Sequence, residues 1–308
     1  MLVLLGPQRF RPTLRKTVEA LGIEGPVAVV TAGWQEREAE DNELREHLGR
    51  ELVDLRLYRR AEEVLQQDEE LAAALRSRQE TLRELQEFYR LRLSYALAAA
   101  RDLMRRESGG RMLSEQRRAA IRAVRTLDRW HLRRIRRIHD AFVERWHPSA
   151  RPAVARYRDE LRGALQRAGV VCVAGGHVAV LLGRLRLFDL PELLDGRPVI
   201  AWSAGAMAVS DRVVLYHDSP PQGAGDPEVF DAGLALCRRL VALPHARTRL
   251  KLDDPVRVAL LARRFAPARC GVLDEGARLD WDGRRWSAGP GTYRLERRGR
   301  VLPFDGGA

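Results

Sequence analysis

Between Arg59 and Arg167 the chain has no strand-like run, while on either side short apolar runs alternate with helical stretches. Inside that interval glycine occurs only at Gly109, Gly110 and Gly163, and Leu, Ala, Arg and Glu dominate. Such a chain does not fold as one uninterrupted α/β layer structure; it folds as an α/β unit with an all-helical segment set into it. Apolar or aromatic residues at 75, 82, 85, 89, 93, 97, 100 and 104, then at 121, 124, 127, 135, 138 and 142, fall on the steps of a helix face. Two long amphipathic helices are predicted. Ser108-Gly109-Gly110 separates them, and Pro148 with Pro152 opens a third helix carrying Val154, Tyr157 and Leu161.

Strand-like runs lie at Leu2–Leu5, Val27–Val30 and 52–57, and after the helical block at Val170–Val173 and Val199–Trp202. Four consecutive apolar residues suit a strand covered on both faces. Asp282-Gly283 and Arg298-Gly299 each sit between two short β-like runs, which predicts two hairpins near the end of the chain. The expected organisation is a doubly wound three-layer α/β/α domain from residues 1–57 and 169–308, with 58–168 inserted as a helical hairpin plus a return helix.

Charge singles out the same block. Of the net +12, residues 56–169 supply +11, from 27 arginines against 16 acidic residues. That concentration fits either a polyanion partner or a solvated helix face. The arginines at 133, 134, 136 and 137, beside Trp130 and His131, wrap around the helix, so solvation is favoured over nucleic-acid binding. Trp130, Phe142 and Trp146 are the candidate anchors if the hairpin instead pairs with a second copy of the chain.

Several classes are excluded. The longest apolar runs fall short of the ~18 residues of a membrane span, and Met1 to Gly6 lacks a basic signal-peptide region and reads as a buried strand. A cytoplasmic protein is expected. Cys172, Cys237 and Cys270 are far apart and form no C-x-x-C pair, so buried thiols are expected rather than disulfides or zinc ligands. His131, His139 and His147 are spaced by eight, each step turning about 80° around a helix, and share no face. No metal site is expected. Neither a phosphate-binding G-x-x-x-x-G-K-[ST] loop nor a G-x-G-x-x-G follows a strand, so no cofactor is expected.

Chemistry points to Val199 through Met207. A buried strand runs into Ser203, and Ala204-Gly205-Ala206 lets a helix begin at once. This is the outline of a nucleophile elbow, G-x-S-x-G with Ala201 in place of the first glycine. The same pattern also suits an ordinary helix N-cap. The strand Val170–Val173 ends in Gly175-Gly176-His177, whose amides, with that of Ala204, could form an oxyanion hole. His245 follows the apolar run at 240–243, and Leu273-Asp274-Glu275-Gly276 closes a short strand on two carboxylates able to orient an imidazole.

The series Ala174-Gly175-Gly176, Ala201-Trp202-Ser203-Ala204-Gly205-Ala206, Pro244-His245 and Leu273-Asp274-Glu275-Gly276, in this order, resembles peptidase family S51, the serine peptidases that include aspartyl dipeptidase (peptidase E) and cyanophycinase. The resemblance implies a flavodoxin-like, class I glutamine amidotransferase-like fold. It implies Ser203 as nucleophile, His245 as base, Gly175 and Gly176 as oxyanion contacts, and either Asp218, fifteen residues after the serine, or Glu275 as the acid. His177 stands where family members often carry Asn or Asp, and the helical block departs from the family pattern. The activity expected is serine hydrolysis of a small peptide or amide, with acidic substrates favoured by the basic block. The alternative is a non-catalytic scaffold whose helices bind nucleic acid or an acidic partner, or mediate oligomerisation.

Overall fold

A computed structural model describes residues 1–218 and 225–306. Along the chain run β1 (Leu2–Leu5), α1 (Leu14–Ala20), β2 (Val27–Val30), α2 (Asn42–Leu48) and β3 (Leu52–Asp54). The helices α3 (Leu57–Gln67), α4 (Glu69–Arg105), α5 (Gly110–Trp146) and α6 (Pro152–Gln166) follow. Then come β4 (Val170–Val173), α7 (Val178–Leu187), α8 (Leu190–Leu194), β5 (Val199–Trp202), α9 (Ala204–Val209), β6 (Arg212–His217), β7 (Gly225–Ala232) and β8 (Leu240–Pro244). The chain closes with α10 (Ala246–Arg249), α11 (Pro255–Phe265), β9 (Arg269–Leu273), β10 (Arg278–Trp281), β11 (Trp286–Ala288), β12 (Tyr293–Leu295) and β13 (Val301–Pro303).

The main sheet has the order β11-β10-β1-β5-β4-β2-β3, with β1 to β5 parallel and the β10–β11 hairpin antiparallel beside β1. Successive side chains of a strand point to opposite faces, and here both faces are covered. Leu2, Leu4, Ala28, Val30, Val171 and Val173 join a core with Leu57, Ala61 and Val64 of α3 and Leu181 and Leu185 of α7. Val3, Leu5, Val27, Val29, Val170 and Cys172 join a second core with Leu14 and Val18 of α1 and Leu48 of α2. The molecule is thus a three-layer α/β/α fold, which is why its strands read as continuous apolar runs. A four-stranded sheet, β13-β12-β9-β8, and the β6–β7 ribbon complete the α/β unit.

The helical block differs from its sequence reading at its start. The run at 52–57 is divided: the strand stops at Asp54 and a helix begins at Leu57. The Glu38 carboxylate accepts the amides of Tyr58 and Arg59, both at 2.9 Å, so a residue from a distant loop supplies the helix start. A further break follows at Asp68, whose Oδ1 accepts the Leu71 amide at 2.9 Å and caps α4.

Helices α4 and α5 pack on each other and on β7 and α11. The Tyr89 hydroxyl donates to Asp128 (2.7 Å) and accepts from Arg264 (2.9 Å) and from the Val229 amide (3.1 Å). His131 stacks on Tyr89 with ring centroids 3.8 Å apart and pairs with Gln86, which in turn donates to the Val229 carbonyl. Phe142, a candidate anchor for a second copy, is buried beneath the Arg78 guanidinium instead. It lies on the inward stripe with Ile135 and His139, so it cannot serve a partner; Trp130 remains exposed and Trp146 is half-buried. All three cysteines are buried free thiols. Among the described residues no helix is long and apolar enough to cross a membrane.

Candidate active site

Parallel strands deliver their carboxyl ends to one edge of the sheet, where ligands of open α/β folds bind. Ser203 leaves β5 there with φ +51° and ψ −123°, a conformation L-residues rarely adopt. It occupies the position before α9, yet its side chain caps nothing. Its Oγ lies 3.4 Å from Nε2 of His245, which leaves β8 in a left-handed turn at φ +58°. Two strained residues on separate sheets therefore face each other with complementary atoms.

The turn after β4 packs against this serine. A Cβ on Gly175 would lie 2.7 Å from the Ser203 Cβ, so only glycine permits the approach. Gly176 has φ +107°, and a Cβ there would fall 2.2 Å from the Gly33 carbonyl oxygen. The His177 amide donates to that same oxygen at 2.7 Å, which pins the loop. The amides of Gly175, Gly176 and Ala204 donate to no acceptor among the described residues, and Ala204 opens the positive end of α9.

The remaining expected residues take other places. His177 caps α7, its Nδ1 accepting the Val180 amide at 3.3 Å. Asp218 is buried and bound by the Arg257 guanidinium, with Nε donating at 2.6 Å, while also accepting the Lys251 amide at 2.7 Å. Its oxygens are thereby engaged away from the His245 ring. Glu275 sits at the rim, 4.0 Å from Arg11 and partly exposed, without a hydrogen bond to His245, but its charge reaches the imidazole. Its neighbour Asp274 accepts the Arg247 amide at 3.2 Å and so holds the turn that presents His245.

Burial, followed by the positive charge of Arg249, lowers the pKa of His245 below its ordinary 6.5, against the opposing pull of Glu275. The imidazole is therefore neutral at pH 7 and can accept a proton. Two contributors escaped the sequence reading. Tyr216 donates to the Pro244 carbonyl at 2.5 Å, bracing the residue before His245. Gln35 adopts φ +61° and ψ −126° two residues after Gly33, whose carbonyl oxygen lies against Gly176. Nothing in a glutamine announces such a backbone; only the nearby Gly33 hints at crowding. Among the described residues no cluster of His, Cys, Asp or Glu could hold a metal ion.

No protein-family model matches the chain, and no curated protein matches it. Solved structures do. The chain is similar to a peptidase from an acI-B1 actinobacterium, at 13% identity and a TM-score of 0.47, covering 98% of this chain and 96% of that one. It is also similar to a peptidase E-type protein from Listeria monocytogenes EGD-e, at 13% identity and a TM-score of 0.40, covering 96% and 98% of the respective chains.

Proposed function

We propose that the protein is a serine hydrolase that cleaves a peptide or amide bond. Ser203 attacks the carbonyl while Nε2 of His245 takes the hydroxyl proton and passes it to the leaving amine. The same imidazole then activates the water that releases the acyl group. The tetrahedral oxyanion is received by the amides of Gly176 and Ala204, with Gly175 shaping the approach. Glu275 stabilises the imidazolium through its field, a weaker arrangement than a bonded acid. Asp218 acts at a distance, holding Arg257 and the Lys251 amide rather than His245. No cofactor enters the reaction.

One observation carries this reading: Ser203 sits at the N-cap position without capping and instead turns its hydroxyl toward a neutral histidine. An ordinary N-cap residue has extended backbone angles and accepts a helix amide with its side-chain oxygen. Strain of this kind costs about 1–3 kcal/mol and persists at sites where geometry serves chemistry. The test is labelling of the intact protein with a fluorophosphonate, which reacts with activated serines. Labelling at Ser203 that disappears in Ser203→Ala and falls steeply in His245→Gln supports the mechanism. A folded parent that resists the probe, or labels elsewhere, overturns it.

A further inference from the structure

Away from Ser203, helices α4, α5 and α7 and strand β7 border an open cavity of about 120 Å³. It has room for several waters or one small polyatomic anion. Four guanidinium groups line it, those of Arg78, Arg83, Arg90 and Arg186, with the imidazole of His139 and a single carboxylate, Asp231. Arg186 (2.9 Å) and His139 (2.8 Å) share Asp231, and Arg90 is paired with Glu228 at 2.6 Å. Arg78 feels the Asp231 charge without a salt bridge to it, since Asp231 is held by Arg186 and His139.

Arg78 is the informative one. Its guanidinium lies over the Phe142 ring at 4.3 Å, and its Nε is buried without a hydrogen bond. Burial, then the nearby charge of Arg186, pushes its pKa down to about 10, so it remains cationic at neutral pH. The Nδ1 of His139 is likewise buried and unpartnered. Native folds seldom leave a donor such as the Arg78 Nε unmatched, and it lies at a cavity rich in positive charge; His139, whose Nε2–H donates to Asp231, presents Nδ1 only as the acceptor of a neutral ring. Opposite, α7 offers Ala179 and Gly183; a Cβ on Gly183 would meet nothing within 4 Å, so glycine leaves space there.

We infer that this cavity binds an oxyanion group, a phosphate or a carboxylate, with Arg78 as the principal donor. A planar guanidinium matches both groups in bidentate fashion. Two sources share this chemistry: a free small anion, or an acidic group of a substrate chain extending from the catalytic site along α7, whose N-terminal residue follows His177. The inference does not depend on Ser203 being the nucleophile.

Inorganic phosphate is the probe, measured by calorimetry and by melting temperature against chloride at matched ionic strength. Saturable binding with a rise in melting temperature is expected for the full chain. Arg78→Met should weaken phosphate binding at least about tenfold, as expected for loss of a charged hydrogen bond, while the phosphate-free protein melts no lower than the parent. Gly183→Met, which fills the cavity while leaving all four arginines in the sequence, should also abolish binding. Phosphate that stabilises no better than chloride, or binds all three proteins equally, overturns the site. In Ser203→Ala protein, displacement of phosphate by triglutamate identifies the substrate chain as the source; phosphate binding unaffected by triglutamate identifies a free anion, and either result upholds the site.

Discussion

Asp128 on α5 and Arg264 on α11, 136 residues apart in sequence, form a buried bidentate ion pair with Nε–Oδ2 at 2.7 Å and Nη2–Oδ1 at 2.8 Å. Their side chains are 7% and 1% exposed, and Tyr89 of α4 bonds to both. One cluster thus ties both long helices to the α/β unit. It leaves no room for the hairpin to leave its seat without stranding a charge.

Removing one member should be costly because the partner stays buried. Asp128→Ala is expected to destabilise the protein by about 3–5 kcal/mol, read from the denaturant midpoint. Replacing both members by apolar residues, Asp128→Leu with Arg264→Met, should cost less than the single change. A single variant that unfolds at the parent midpoint would show that the pair does not hold the hairpin.

Backbone strain at Ser203 gives a prediction of opposite sign. Glycine tolerates φ +51°, so Ser203→Gly should raise stability by about 1 kcal/mol while abolishing fluorophosphonate labelling. Ser203→Ala keeps the strain and should gain little. If the glycine variant melts lower than the alanine variant, the turn is not strained as described.

The pH dependence of labelling follows from His245. Its pKa is lowered below 6.5, so the base is already neutral at pH 7 and reactivity should be flat there. Acidification through the lowered pKa protonates the ring and removes reactivity. Arg249→Gln should move the midpoint up and Glu275→Gln should move it down, since those charges act in opposite directions. A midpoint above 7 in the parent is the contrary outcome.

Acid should also loosen the hairpin. Burial pushes His131 down to about 4, whereas in the unfolded chain it titrates near 6.5. Below pH 6.5 the unfolded state therefore binds the extra proton first, and stability falls as pH drops from 6.5 toward 4. Above 6.5 this contribution is fully present. Urea midpoints measured across that window should lose part of this slope in His131→Gln; an unchanged slope would assign the acid sensitivity to other groups.

Local pattern was enough for the buried strands Leu2–Leu5, Val27–Val30, Val170–Val173 and Val199–Trp202, the two long helices and the serine turn, but not for β6 and β7, which carry no comparable apolar run. Four-residue apolar runs gave Leu2–Leu5 and Val199–Trp202 because both faces of the sheet are covered, and Asp282-Gly283 specified its hairpin through turn geometry. The helical start at Leu57 was not legible, because its cap comes from Glu38, and the break at Asp68 carries neither glycine nor proline. The site divides in the same way. Ser203 and the glycine turn could be read from residues adjacent in sequence, whereas the choice of partner for each carboxylate could not. Asp218 and Glu275 are equally acidic as letters; Arg257 and the Lys251 amide engage the first, and Arg11 stands near the second, only once β6, α11 and the loop after β1 are assembled. Propensity and periodicity act over a turn or two of chain, so the sequence by itself determined the strands covered on both faces, the two long helices and the tight turns. Ion pairing and burial depend on what folding brings near, so only the tertiary structure decided which charges are spent on scaffolding, as at Asp128 and Asp218, and which are buried with a donor left unmatched, as at Arg78.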